Sequence, residues 1–164
     1  GKDAKRGDYS AIVRLGRTPG GTLFVDADLA RRTSDVLVED FVDTCRNWRA
    51  DAAGIESNAY QELLGEDVQI AAEKRGYVVP LNLIENHVNK LVRIRRLTPY
   101  LSQKKVRFVD SPGTRLLVDQ CKDFPLGTHD DGPDGMEMAL RLAIDVSHNP
   151  AEAPWEPDVL EAMP

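Results

Sequence analysis

The tetrapeptide Thr18-Pro19-Gly20-Gly21 separates two short apolar runs, and no other feature restricts the fold so tightly. Proline presets one turn dihedral and glycine accepts the positive φ that a reversal needs. Residues 10–16 read as a strand before it and residues 22–28 as a returning strand, so an antiparallel hairpin is predicted. Strand and helix signals then alternate. Thr33 or Ser34 caps a helix to Trp48, with Val36, Leu37, Phe41, Thr44, Cys45 and Trp48 on one face. Residues 52–56 form a short apolar strand that ends on Glu56. Asn58 caps a helix that reaches Arg75 and stops at Gly76. Residues 77–81 read as a strand near an edge, because of Pro80. A basic helix spans 86–97, Thr98-Pro99 interrupts or ends it, and a strand covers 106–109. Residues 114–124 are helical, with Pro112-Gly113 at the start, 124–129 are a loop, and Pro133 opens a largely buried helix through Val146. This order predicts an α/β three-layer domain: a mixed sheet with an N-terminal antiparallel hairpin and flanking helices. The domain is expected over 1–148, followed by a loose, Pro-rich acidic tail over 149–164.

Composition narrows the class. The chain has 164 residues, 41% hydrophobic and 29% charged, which suits one globular domain and excludes intrinsic disorder. No apolar run approaches the ~20 residues of a membrane span. The polar N-terminus lacks a signal-peptide core, and two cysteines, Cys45 and Cys121, fit a reduced cytosolic setting. The net charge of -6 hides an asymmetry. Residues 85–107 hold seven basic side chains against one acid, whereas 110–164 hold twelve acids against three basic side chains. A basic stripe beside acidic clusters suits a protein that handles a polyanion and a divalent metal.

Three features could carry chemistry. Glu56 ends a short apolar strand, the edge of an α/β sheet where ligands bind. A carboxylate there needs a cation or metal, unless it is simply solvated. In His129-Asp130-Asp131-Gly132-Pro133-Asp134, three acids crowd the start of an apolar helix. Capping the helix accounts for one of them; hard oxygen ligands for Mg²⁺ or Mn²⁺ would account for the cluster. His129 could orient an acid, act as a base or bind a phosphate, or be an ordinary loop histidine. Lys90, Arg93 and Arg96, with Lys104-Lys105, form a stripe suited to phosphate contacts or, more plainly, a solvated helix face. A P-loop and a G-x-S-x-G elbow are both missing.

Together these segments resemble the C-terminal nuclease domain of the large terminase subunit of tailed bacteriophages. The resemblance rests on residues 7–13, on Gly54-Ile55-Glu56-Ser57-Asn58-Ala59-Tyr60-Gln61, and on Lys90-Leu91-Val92-Arg93-Ile94 through Leu97-Thr98-Pro99. It continues through Val106-Arg107-Phe108, Asp119-Gln120, Phe124-Pro125 and His129 to Gly135, covering roughly residues 7–146. It implies an RNase H-like fold and a two-metal site, with Mg²⁺ or Mn²⁺, that cuts concatemeric double-stranded DNA. It further implies Glu56 as one metal ligand and Asp131 as another, ahead of Asp130 and Asp134, with His129 nearby. Lys90, Arg93, Arg96, Lys104 and Lys105 would hold the DNA backbone. The implied partners are the terminase ATPase domain, the portal and the small terminase subunit, in the host cytoplasm during assembly. The family's first strand and its acid are expected to be missing, with Asp3 and Asp8 the only acids near that place. Another RNase H-like nuclease (a resolvase or hybrid nuclease) and a non-catalytic DNA- or portal-docking domain are the alternatives.

Overall fold

A computed structural model describes residues 9–57 and 59–148, the side chains of 59–63 excepted. The expected tail over 149–164, the Asn58 cap, Asp3 and Asp8 lie outside the described residues. The hairpin forms as the turn signal requires: β1 (Ser10–Arg17) and β2 (Leu23–Ala30) pair antiparallel, from Ser10 opposite Ala30 to Arg17 opposite Leu23. Gly21 takes a φ of 87°, the conformation for which glycine suits this turn. Then follow α1 (Ser34–Trp48), β3 (Ala53–Glu56), α2 (Ala59–Lys74) and β4 (Leu81–Ile84). The chain continues through α3 (Lys90–Arg95), α4 (Thr98–Ser102), β5 (Val106–Phe108), α5 (Pro112–Asp123) and α6 (Asp131–His148). The protein is therefore α/β, with mixed strand pairing and flanking helices.

Local differences from the sequence reading have local causes. The strand expected over 77–81 falls at Leu81–Ile84, because Pro80 has no N–H to give the ladder. Its carbonyl instead accepts the Ala53 N–H at 2.9 Å, just ahead of the paired residues. The expected helix over 86–97 divides in two. Its start moves to Lys90, where the Asn89 side chain accepts the Leu91 N–H at 2.9 Å. Thr98-Pro99 interrupts the helical run and opens α4, since proline fits a first helical turn. Pro112 likewise opens α5, at the expected Pro112-Gly113 start, with the Ser111 hydroxyl as its cap.

The single mixed sheet expected from the sequence is two separate sheets among the described residues. One has the order β1-β2-β5, with β5 parallel to β2; the other is the parallel pair β3-β4. Each has its own core. Leu23, Val25, Ala27 and Leu29 of β2 pack with Leu117 of α5, Met136 and Leu140 of α6, and Ile94 and Leu97. Val38, Val42 and Cys45 of α1 pack with Ala53 and Ile55 of β3 and with Val68, Ala71 and Ala72 of α2. The helix α6 touches both sheets. A side chain at Gly135 would meet Val13 and Ala11, and Arg17 donates to Ser147 Oγ at 2.8 Å, so α6 ascends along β1. A side chain at Gly54 would meet Leu142, while Asn86 joins Met138 to Glu56, so α6 descends along β3. The strands β1 and β3 therefore run in opposite directions along α6.

Candidate functional site

A groove of about 280 Å³ lies where the two sheets face each other. Tyr9, Ser10, Ala11 and Ile12 line one side, and Gly54, Ile55 and Glu56 the other. Successive strand residues point to opposite faces, so a groove that touches four in a row runs along an edge. That edge of β1 is the one away from β2, and that of β3 the one away from β4; neither has a strand partner among the described residues. Leu37, Val38 and Phe41 of α1 line the groove, with Asp131, Asp134, Gly135 and Met138 of α6.

Glu56 and Asp131 thus reach the same groove, one from the end of β3 and one from the start of α6. Asn86 donates to Glu56 Oε1 at 2.7 Å and fixes its orientation. The start of α6 is anchored by Gln120, whose side-chain oxygen accepts the Gly132 N–H at 2.8 Å. At the groove's mouth the His129 ring meets Tyr9 edge-on, with centroids 5.1 Å apart. The Arg31 guanidinium lies 5.0 Å from the same Tyr9 ring.

Asp130 and Asp134 pair with cations of the helix α3. Asp130 accepts from Lys90 Nζ at 3.0 Å. Asp134 accepts from Arg93 Nη1 at 2.7 Å and has Lys90 Nζ at 3.4 Å. Burial pulls the Lys90 ammonium down, but Asp130 and Asp134 outweigh it and hold its pKa above the ordinary value. The Arg93 guanidinium, lowered by burial and raised more by Asp134 and Glu137, also stands above its ordinary value. The sequence reading treated the acid cluster and the basic helix as two sites; the fold folds one onto the other.

The residues expected to contact DNA differ in their exposure. Arg93 is 3% exposed and faces α6, so its guanidinium is not available to a phosphate. Lys90 bridges two carboxylates, and Arg96, half exposed, lies 3.4 Å from Glu137. Lys104 and Lys105 are exposed but lie elsewhere: the Lys105 carbonyl accepts the Leu23 N–H at 2.8 Å, at the opposite end of β2 from Ala30. Seven strand steps separate those ends, about 23 Å.

Sequence reasoning missed two residues. Glu137 is buried and meets Arg93, Arg96 and Arg141. Arg141 donates to Asn86 Oδ1 at 2.6 Å, so it supports the residue that orients Glu56. The spacing of Asp134, Glu137 and Arg141, three and four apart on one helix face, is the signal that could have found them.

The donor set bears on a metal. Glu56 and Asp131 offer hard oxygens to one groove, as a divalent cation requires. Among the described residues, no three His, Cys, Asp or Glu side chains are grouped closely enough to hold a metal ion. Among these residues, too, no helix is long and apolar enough to cross a membrane. Compared with known proteins, the chain matches no family model and no curated sequence.

Proposed function

We propose that this chain is a divalent-metal-dependent DNA endonuclease domain with an RNase H-like architecture, of the terminase large-subunit type. One observation carries the reading: Glu56 and Asp131, far apart in sequence, line one groove at the carboxyl end of β3. Mg²⁺ or Mn²⁺ would be held by these two carboxylates; when bound, it supplies charge for an attacking water and for the leaving oxygen of a phosphodiester. The chain's own residues contribute orientation. Asn86 fixes Glu56, Arg141 fixes Asn86, and Gln120 fixes the turn that carries Asp131. Asp130 and Asp134 hold Lys90 and Arg93 and so position α3 against α6 rather than serving as ligands.

Two carboxylates are fewer than a two-metal site calls for. An extended segment laid between the free edges of β1 and β3 would join both sheets and bring a further acid to the groove. In the terminase setting, double-stranded DNA, the ATPase domain, the portal and the small subunit are the partners, in the host cytoplasm.

The test is nicking of supercoiled plasmid by this chain with Mn²⁺, Mg²⁺ or EDTA, beside Glu56→Ala. Metal-dependent nicking that the substitution abolishes, with the fold retained by circular dichroism, is the expected result; equal nicking by Glu56→Ala refutes the assignment. A second reading, a non-catalytic domain that docks DNA or a portal, fits the finding that among the described residues no three acids are grouped closely enough to hold a metal. DNA binding without calorimetric Mn²⁺ binding would select it.

A further inference from the structure

The outer face of the three-stranded sheet carries two aromatic rings that are only half covered. Residues of β1 and β2 that point away from the α5–α6 core include Ile12, Arg14 and Gly16, and Phe24, Asp26 and Asp28. Near the groove this face is closed, and Ile12 is buried. Toward the other end the cover stops: Phe24 is 45% exposed, and Trp48, at the end of α1, is 47% exposed.

Single exposed apolar side chains are ordinary, but these two sit in a particular setting. Phe24 pairs with Gly16 on one side and Arg107 on the other. Nothing lies within 4 Å of the place where a Gly16 side chain would begin. One flank of the ring is therefore open, and the other carries a guanidinium. Arg14, on the same face and two residues before Gly16, lies 5.3 Å from the Trp48 ring centre. Its charge is answered by Asp26 at 2.7 Å. Lys104 and Lys105 lead directly into β5 beside this row and are exposed, as is Arg107. Among the described residues, no ion pair joins Lys104, Lys105 or Arg107 to a carboxylate. In a chain of net charge -6, this end of the sheet is locally cationic and aromatic.

We propose that this open sheet face binds single-stranded nucleic acid, with bases stacked on Phe24 and Trp48 and phosphates held by Arg107, Lys105 and Lys104. Charge complementarity selects a polyanion, and open rings select unstacked bases. In a duplex the base faces are already stacked on one another, so only a single strand offers them to a protein ring. The inference rests on the nucleic-acid reading above for its class of ligand, and on none of the groove carboxylates for its site. Phe24 stands opposite Gly16, four strand steps or about 13 Å along the sheet from Ile12 at the groove, so a strand held here is gripped beside the groove rather than in it.

The test is fluorescence anisotropy of an end-labelled oligothymidylate titrated with the full chain in EDTA. Phe24→Ala and Trp48→Ala are each expected to weaken binding about fivefold or more, the range of one lost base stack. Phe24→Tyr retains affinity. Lys104→Glu with Lys105→Glu lowers the slope of log affinity against log salt by about 1.4, at ~0.7 per phosphate contact on a single strand. Circular-dichroism melts check that every variant is folded at the assay temperature, and the exposed Lys104→Glu, Lys105→Glu pair keeps the wild-type midpoint. Unchanged affinity in the Phe24→Ala, Trp48→Ala double variant overturns the proposal. So does an absence of oligonucleotide binding at low salt, or self-association in sedimentation that Phe24→Ala abolishes, which would make the face a protein contact. Glu56→Ala binds the oligonucleotide like wild type, so its loss of nicking bears on the groove alone.

Discussion

At the scale of single residues, the buried charges decide most. Glu137 is 2% exposed, yet it meets Arg93 Nη1 at 3.2 Å, Arg141 Nη2 at 3.2 Å and Arg96 Nη1 at 3.4 Å. Desolvating such a group is unfavourable, and only its partners offset it; removing one member strands the others. Glu137→Ala is therefore expected to destabilise the fold by about 3–5 kcal/mol. Urea denaturation monitored by far-UV circular dichroism measures it, and a midpoint equal to wild type would show that the guanidiniums do not depend on Glu137. Cys45 gives a second expectation, with a pH sign. Burial pushes its thiol from 9.0 up to about 11. A folded pKa above the unfolded one means that its contribution is complete below pH 9 and is lost as pH rises from 9 to about 11. The loss is roughly 3 kcal/mol, so stability in Cys45→Ala should fall less steeply over that window. Equal slopes in the two proteins would deny the thiol this role.

At the scale of elements, much was legible because the signals are local. Thr18-Pro19-Gly20-Gly21 foretells the hairpin, and alternation in β2 foretells which side is core. One misplaced boundary has a local cause: Pro80, read inside a strand, has no N–H to give a ladder, and β4 begins after it. What no local pattern reveals is how one element completes another. β5 ends at Phe108, opposite Val25, and leaves the β2 edge open beyond it. There the Thr114 hydroxyl of α5 accepts the Ala27 N–H at 2.9 Å and lies 3.0 Å from Asp26 Oδ1. Gly113 makes this approach possible, since a side chain there would begin 2.1 Å from the Ala27 carbonyl oxygen. Thr114→Val keeps the shape but strands the amide, and should cost about 1–3 kcal/mol. Gly113→Ala should cost more, because backbone rather than a flexible side chain must move. Guanidinium-chloride midpoints rank the two, and the reverse order would place the weight of this junction on the hydroxyl.

At the scale of the whole molecule, the site was half legible. Glu56 and the 129–134 cluster could be singled out because each is unusual where it stands: an acid ending an apolar strand, and acids crowding a helix start. That Asp131 shares a groove with Glu56, while Asp130 and Asp134 answer Lys90 and Arg93, depends on how α3 lies on α6. No spacing along the chain encodes that. The division into two sheets has a measurable consequence. β2 is paired on both sides over Leu23–Val25, by β1 and by β5, with Val25 at the centre of its core. β1 and β3 each have one edge along the groove with no strand partner among the described residues. Amides pointing to that edge exchange through small local openings, whereas those of β2 require larger ones. Native-state hydrogen exchange by NMR should therefore find the groove-facing amides of Ser10–Val13 and Gly54–Glu56 far less protected than those of Leu23–Val25. Equal protection in solution would mean that the edges are already paired, and that the groove holds a strand rather than awaiting one.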